Sequence, residues 1–570
     1  MDSRWESTGL RAAPWLAFAV ACGALFFGGF PQGHDWTQEL LRTAEYQAAL
    51  AAGQLPPYWG ENLYGGYGSP VFLFYAPLFA AGSALLGWLL GSVAGGATLL
   101  LILLTALSVE LTRRMLECAL AHGPGPAPAA ELVGAAARVG VYLYVLHPYL
   151  LGDKLVRNAS AEFAALCLAP LAIQGLLLAG SRPRAAFGLL SAGIALSILA
   201  HNLMALAVLG IGLAGAFLLY PPWSAPRPLL AALGGVAFGL ALSAFFWVPA
   251  LSLLPLIRPE ELLRAKFDFH GQFPAPHQLF GYGRFFATGL LTPLALLAAA
   301  SAAYRYRAEP LRGQRLLVGA LIAALGLLLL TTQASAPVWE SVPLLPLFQF
   351  PWRMLGPLAL VTAIVAALAF ARFLAARSAR LRVAAELAVL GACVLNALPI
   401  ISQYRALEPS SIERLPELLD PEAVRSSGRS VTLLDEYLPR TADPTAWRLQ
   451  RPVAGPVVAT TTRIEVDVDV DRGSRIELRT RVSSPAQMRI ARWFFPGWQL
   501  EVNGTPAELA TNASGSLEVS IPAGEAHVEL RCEPPRVRKL WTAVSGVALL
   551  AWIALIAGRP RRLWAVPGPS

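Results

Sequence analysis

Hydrophobic positions along this chain gather into long runs, unlike the short patches of a soluble domain. Thirteen apolar stretches can be traced, at about residues 12–30, 70–90, 97–113, 131–150, 160–180, 185–200, 203–220, 229–257, 285–303, 316–332, 355–376, 383–401 and 540–557. Most approach the 17–25 apolar residues with which an α-helix crosses a bilayer. The run 70–90 is interrupted by Pro77 and Gly82 and reads as re-entrant, which leaves twelve crossings. The expected class is a mainly α polytopic membrane protein of about 12–13 transmembrane segments.

Polar punctuation sets the sidedness. Arg4 and Arg11 precede the first run, and Arg113-Arg114, Arg182 with Arg184, Arg227, Arg305 to Arg315, Arg372 to Arg382 and Arg559 to Arg562 all fall on one side if twelve runs cross. Positive residues mark the cytoplasmic side. The outer face then receives Asp35, the segment Asp153 to Glu162, His201-Asn202, the loops 258–284 and 333–354, and residues 402–539.

Within that last block the period shifts to two. Ile464-Glu465-Val466-Asp467-Val468-Asp469-Val470 and Ile476-Glu477-Leu478 alternate, and Leu517 to Ile521 and Val528 to Leu530 resume the pattern. Asn503-Gly504 is a hairpin signal. A β-sandwich is expected, β-rich from about residue 455. The domain division is 1–401 as a transmembrane domain with a first outer loop at 31–69, 402–539 as an extracytoplasmic domain, and 540–570 as the last helix and a cytoplasmic tail. In the first loop, Asp35 to about Gly53 reads as an amphipathic helix with Asp35 at its N-cap and Gln38 three residues on. Tyr58-Trp59 and Tyr64-Gly65-Gly66-Tyr67-Gly68 suit an interfacial loop.

Composition agrees with this class and closes others. The 570 residues are 55% hydrophobic and only 14% charged, where a soluble domain carries about a quarter charged residues. The net charge of +9 lies in the short topogenic clusters, so it does not imply nucleic acid. Five scattered cysteines form no disulfide framework, seven histidines show no metal-ligand spacing, and no Gly-rich phosphate loop or Ser-His-Asp set stands out.

Candidate chemistry gathers on the outer face. Asp35 is the first acid there, beside His34, and a carboxylate at the mouth of a membrane helix can act as a base; helix capping is the plainer reading. Glu162 sits one turn into an apolar helix, where an acid costs roughly 2.5–3.5 kcal/mol on insertion scales and usually lines a cavity. Lys154, Arg157 and Asn158 share its segment, and Arg157 could simply pair with Glu162. His201-Asn202 breaks an apolar stretch. Gln349-Phe350-Pro351-Trp352-Arg353 sets an arginine against the positive-inside bias, where it could grip a lipid phosphate in a bidentate fork or only snorkel.

Taken in order, Gly33-His34-Asp35, the run from Tyr58-Trp59 to Gly68-Ser69-Pro70, Arg157-Asn158-Ala159 with Glu162, His201-Asn202 and Phe350-Pro351-Trp352-Arg353 carry a resemblance over nearly the whole chain. Together they look like the bacterial membrane proteins labelled 6-pyruvoyl-tetrahydropterin synthase-related, which belong with the GT-C glycosyltransferases. A relative of these has an outer domain with a run similar to Phe495-Pro496-Gly497-Trp498. The synthase label does not transfer, since that chemistry needs a zinc-binding histidine set in a soluble fold. The GT-C resemblance implies transfer of a sugar from a polyprenyl-phosphate donor to a glycan, lipid or protein acceptor on the outer face of the bacterial cytoplasmic membrane. It implies Asp35 and Glu162 as the catalytic acids. His34, Tyr58, Trp59, Lys154, Arg157, Asn158, His201, Asn202, Gln349, Trp352 and Arg353 are the expected substrate-binding set, with a divalent cation as the one candidate cofactor. The rival reading is a lipid-linked glycan transporter or a non-catalytic assembly factor.

Overall fold

The structure, a computed structural model, describes residues 12–121, 129–264, 267–308, 311–408, 411, 415, 419–427, 435–449, 455–472 and 474–557. Arg4, Arg11 and the cluster Arg559 to Arg562 lie outside the described residues. In chain order the principal helices are α1 (Ala13–Gly28), α2 (Trp36–Ala51), α3 (Leu78–Leu90), α4 (Val93–Ala121), α5 (Ala130–Val145), α6 (Pro148–Gly152), α7 (Ser160–Leu178), α8 (Pro183–Ala200) and α9 (Asn202–Leu219). There follow α10 (Pro226–Leu242), α11 (Ala244–Ser252), α12 (Leu291–Arg305), α13 (Leu311–Leu330), α14 (Ala336–Ser341), α15 (Leu355–Leu374), α16 (Ala379–Ile401) and α17 (Arg536–Ala557).

Every apolar run becomes helical. Among the described residues seven helices are long and apolar enough to cross a bilayer, namely α4, α7, α8, α9, α15 with its leading turn, α16 and α17. Two bent pairs raise the number to nine: α10 and α11 meet at 70°, α13 and α14 at 93°. The other four runs give helices of 16, 13, 16 and 15 residues (α1, α3, α5 and α12). At 1.5 Å per residue α3 reaches only about 20 Å of a hydrocarbon core about 30 Å thick. It begins directly after Pro77 and stops at Gly91, whose φ of +65° suits glycine. The chain is a multi-pass membrane protein.

Two helices form the centre of the bundle. All of α7 is buried, as is 94% of the apolar window of α15, whereas only 11% of that of α17 is covered. Residues 457–532 fold as two antiparallel sheets. One has four strands in the order β1-β4-β8-β7, the other five in the order β2-β3-β9-β5-β6. Here β1 is Val457–Thr460, β2 Glu465–Arg472, β3 Arg475–Val482, β4 Ala486–Trp493, β5 Trp498–Val502, β6 Thr505–Ala507, β7 Ala510–Thr511, β8 Ser516–Ile521 and β9 Gly524–Cys532. Alternate residues point inward, so Ile476, Leu478, Met488, Ile490, Leu517, Val519, Val528 and Leu530 are fully buried. The expected hairpin joins β5 to β6, with Asn503 at φ +54° and Gly504 at φ +73°. Two successive positive φ values are what a type I′ turn requires.

The loop after α2 is bolted onto this β domain. Tyr58 donates its hydroxyl to the Cys532 carbonyl at 2.6 Å. Trp59 packs edge-on against Trp498, with ring centroids 6.0 Å apart, and beside Phe495. The Tyr67 ring centroid lies 4.4 Å from that of Trp493, whose backbone N–H donates to the Tyr67 carbonyl. Gly68, at φ +80°, lets the backbone pass directly beneath the Trp59 indole. Aromatic burial of this extent is the main force holding loop and sandwich together.

Candidate functional site

Asp35 is placed by backbone pairing. The chain leaving α1 runs beside residues 404–408, with the Gln32 N–H donating to the Arg405 carbonyl at 2.8 Å. It then pairs with the segment before α7: His34 N–H donates to the Val156 carbonyl and Asp35 N–H to the Arg157 carbonyl, each at 3.0 Å. Gly33 permits this approach, because a Cβ there would collide with the Asn158 carboxamide oxygen and the Val156 carbonyl. Asp35 occupies the N-cap position of α2, yet its side chain caps nothing. Among the described residues the carboxylate has no hydrogen-bond partner, and the residue is half-buried. A capping role does not account for it.

Opposite lies a buried ion-pair network. Residues Asp153–Arg157 form a single π-turn closed by Asn158 in the left-handed conformation, φ +57°. Such wide turns often mark functional sites. The turn carries Arg157 to Asp153, with which its Nη1 pairs, and to 3.5 Å from both Glu162 and the Tyr149 hydroxyl. Its guanidinium lies over Trp352, 4.4 Å from the ring centroid, and 5.9 Å from that of Phe285. Glu162, 1% exposed, also accepts from the Tyr149 hydroxyl and from Arg353 Nε at 3.1 Å. A lone buried carboxylate would be costly; two guanidinium groups and a phenol make this one tolerable.

Arg353 is fixed by the short turn Pro351–Met354 that opens α15. Its Nη1 donates to the Phe348 carbonyl at 2.8 Å and to Gln349 Oε1 at 3.1 Å, while Gln349 Nε2 donates to the Leu262 carbonyl at 2.7 Å. Among the described residues neither Arg353 Nη2 nor Arg157 Nε and Nη2 make a hydrogen bond. Those guanidinium edges can take an anion. His201 sits at the break between α8 and α9, where Nδ1 accepts the Met204 N–H at 3.2 Å. Glu162, Arg157 and Arg353 all act on its ring electrostatically. The exposed His34 ring meets Phe285 edge-on at 5.4 Å.

Of the expected residues, His34, Asp35, Arg157, Asn158, Glu162, His201, Gln349, Trp352 and Arg353 thus belong to one assembly. Four do not. Tyr58 and Trp59 are buried between loop and sandwich. Lys154 points into the bundle, donating to the Ala21 carbonyl at 2.8 Å and Thr105 Oγ1 at 3.3 Å. Asn202 is exposed and braces the Phe74 carbonyl. The sequence reading missed Tyr149, Asp153 and Phe285 as members. Tyr149 follows His147-Pro148, a polar interruption at the end of an apolar run, which was a usable signal; Phe285 had none. Among the described residues no group of three or more His, Cys, Asp or Glu side chains is arranged to hold a metal ion.

No protein-family model matches the sequence, and neither does any curated protein. Solved structures show similarity at low identity. The arabinofuranosyltransferase AftD from Mycobacteria is 20% identical, with a TM-score of 0.46 over 71% of this chain and 28% of its own. The Archaeoglobus fulgidus oligosaccharyltransferase in its apo form is 13% identical, with a TM-score of 0.47 over 77% of this chain and 62% of its own. ArnT from Cupriavidus metallidurans, bound to undecaprenyl phosphate, is 15% identical, with a TM-score of 0.41 over 75% of each chain. The chain therefore spans under a third of AftD and under two thirds of the oligosaccharyltransferase.

Proposed function

We propose that this protein is an inverting glycosyltransferase of the GT-C kind, acting on a polyprenyl-phosphate-linked sugar at the outer face of the bacterial cytoplasmic membrane. The observation that carries the reading is the Asp35 carboxylate, half-buried, free of hydrogen bonds among the described residues and held by backbone pairing beside the Arg157–Glu162–Arg353 network. An unpaired carboxylate next to two partly uncommitted guanidinium groups suits a reaction that removes a proton at one end and releases an anion at the other.

In this mechanism the donor phosphate rests against Arg353 Nη2 and the open edge of Arg157. The acceptor hydroxyl lies by Asp35 and attacks the anomeric carbon from the face opposite the phosphate. A bond forms from the acceptor oxygen to that carbon as the carbon–phosphate oxygen bond breaks. The hydroxyl proton passes to Asp35, and the departing phosphate keeps the electron pair, stabilised by the arginines. Configuration inverts because attack and departure are on opposite faces. Glu162 and Tyr149 hold the two guanidinium groups apart at fixed positions, and Trp352 with Phe285 walls the space.

A transporter would need charged groups spread across the membrane's midplane. Here Asp35, Arg157, Glu162 and Arg353 gather at one site, and the buried pair Arg138–Glu386 stands apart from it. The test is consumption of a polyprenyl-phosphate sugar by the purified protein, wild type against Asp35→Asn. Removing a general base typically costs 10²–10⁴-fold in rate. Equal turnover by the two proteins would overturn the base assignment.

A further inference from the structure

A second polar site lies apart from Asp35, where the turn between α5 and α6 meets the start of α12 and the middles of α15 and α16. His147, Thr288, Thr292, Thr362, Cys393 and Asn396 line a small gap there. All six are more than nine-tenths buried. Their hydrogen bonds are almost complete. His147 Nδ1 accepts the Tyr149 N–H at 3.2 Å, so in the neutral ring Nε2 carries the proton, and it lies 3.3 Å from Thr292 Oγ1. Asn396 Nδ2 donates to the Thr288 carbonyl at 3.4 Å, and Thr288 Oγ1 donates to Gly289 and Leu279 carbonyls.

Two groups remain. The Thr362 hydroxyl and the Asn396 carbonyl oxygen are fully buried and have no partner among the described residues. One can donate and the other accepts; they lie on two separate helices, and both residues line the gap. The gap holds about one water molecule. Gaps that stay dry are apolar, whereas a polar one with two to four partners retains water. Lipid supplies no hydrogen bonds to such groups.

We propose that this gap is a binding site for a single water molecule, which donates to Asn396 Oδ1 and accepts from the Thr362 hydroxyl. His147 and Thr292 complete its surroundings. The water joins α15 and α16 to the His147 turn. That turn begins α6, whose Tyr149 donates to Glu162, so the water is a positioning element for the ion-pair network. The site stands on its own geometry and does not depend on the glycosyltransferase reading.

The protein supplies its own probe. Cys393 lines the gap, while Cys22 and Cys167 are equally buried thiols that do not. X-ray radiolysis of water in the purified full-length protein, followed by mass spectrometry, oxidises side chains beside bound water. Cys393 is expected to be oxidised several-fold faster than Cys22 or Cys167; equal rates at all three would overturn the site. Thr362→Val gives an independent sign test. If water is bound, the variant loses one of its anchors, slows Cys393 oxidation and unfolds at lower temperature. If the gap is dry, the methyl replaces an orphaned hydroxyl, and the unfolding temperature stays level or rises, which refutes the proposal.

Discussion

The Asn158 carboxamide fills the space that a side chain on residue 33 would need. Gly33 and Asn158 are thus a matched pair: the missing Cβ of one makes room for the amide of the other. Asn158 holds a left-handed conformation and closes the π-turn that presents Arg157. Asp35 follows two residues after Gly33, so the fit sets the distance between Asp35 and Arg157.

Gly33→Ala should therefore act on chemistry more than on folding. Overpacking of this kind costs roughly 1–3 kcal/mol. Turnover should fall by at least tenfold while the purified protein remains folded by circular dichroism. Wild-type turnover in Gly33→Ala would show that the spacing of Asp35 and Arg157 does not matter.

Arg353 holds Glu162, the Phe348 carbonyl and Gln349, and in the proposed mechanism it also meets a phosphate with Nη2. A lysine cannot fork in this way. Losing one charge-assisted bond of about 1.5–3 kcal/mol weakens binding roughly ten- to hundredfold. Arg353→Lys should show that loss for a polyprenyl-phosphate sugar by calorimetry, and Arg353→Ala a larger one. Unchanged donor binding in both variants would move the phosphate site elsewhere, with Arg157 the next to vary.

Trp59 gives the opposite expectation. Its indole is 1% exposed between Trp498 and Phe495. Truncation of a buried tryptophan costs about 3–5 kcal/mol. Trp59→Ala should raise the protease sensitivity of the loop at residues 53–76 and of the β domain, yet leave donor affinity near wild type. A selective loss of donor affinity with unaltered protease sensitivity would return Trp59 to the substrate-binding set.

Exposed His270 and Asp268, in the segment 267–289, form a pH-dependent clasp. His270 Nδ1 lies 2.7 Å from Asp268 and Nε2 3.4 Å from Glu340. The Asp268 hydrogen bond raises the imidazole pKa above its ordinary 6.5, with Glu340 adding to it. A raised folded-state pKa stabilises the clasp fully below the unfolded value, and the contribution fades as pH rises through the folded value. Hydrogen exchange around His270, corrected for intrinsic rates, should quicken as pH rises above the ordinary 6.5. His270→Gln should abolish that dependence; a wild-type profile in the variant would refute the clasp.

How much of this was legible beforehand depended on what each residue had to hide. The apolar runs and the period-two alternation of residues 464–470 announced helices and strands, because burial alone dictates those patterns. Glu162 stood out as an acid inside an apolar helix and Arg353 as an arginine against the positive-inside bias, and the two are paired. Tyr58 and Trp59 misled, since an aromatic residue near a membrane reads the same whether it meets lipid, sugar or a sandwich edge. Lys154 misled for a related reason: three residues from Arg157 on an irregular π-turn, it faces the bundle interior, and the turn's extra residue has no sequence signature. Phe285 reached the site only through a long-range packing that no local pattern encodes.

Glu162 and Arg353 stand at the heads of α7 and α15, the helices most completely enclosed by protein. Bilayer thickness and tension act on a membrane protein by tilting the helices that lipids touch. These two are out of that reach, so strain in the surrounding membrane arrives at the ion pair only after passing through a ring of other helices. The ion pair is sprung from the middle of the bundle like a lamp on a gimbal, level while its housing sways.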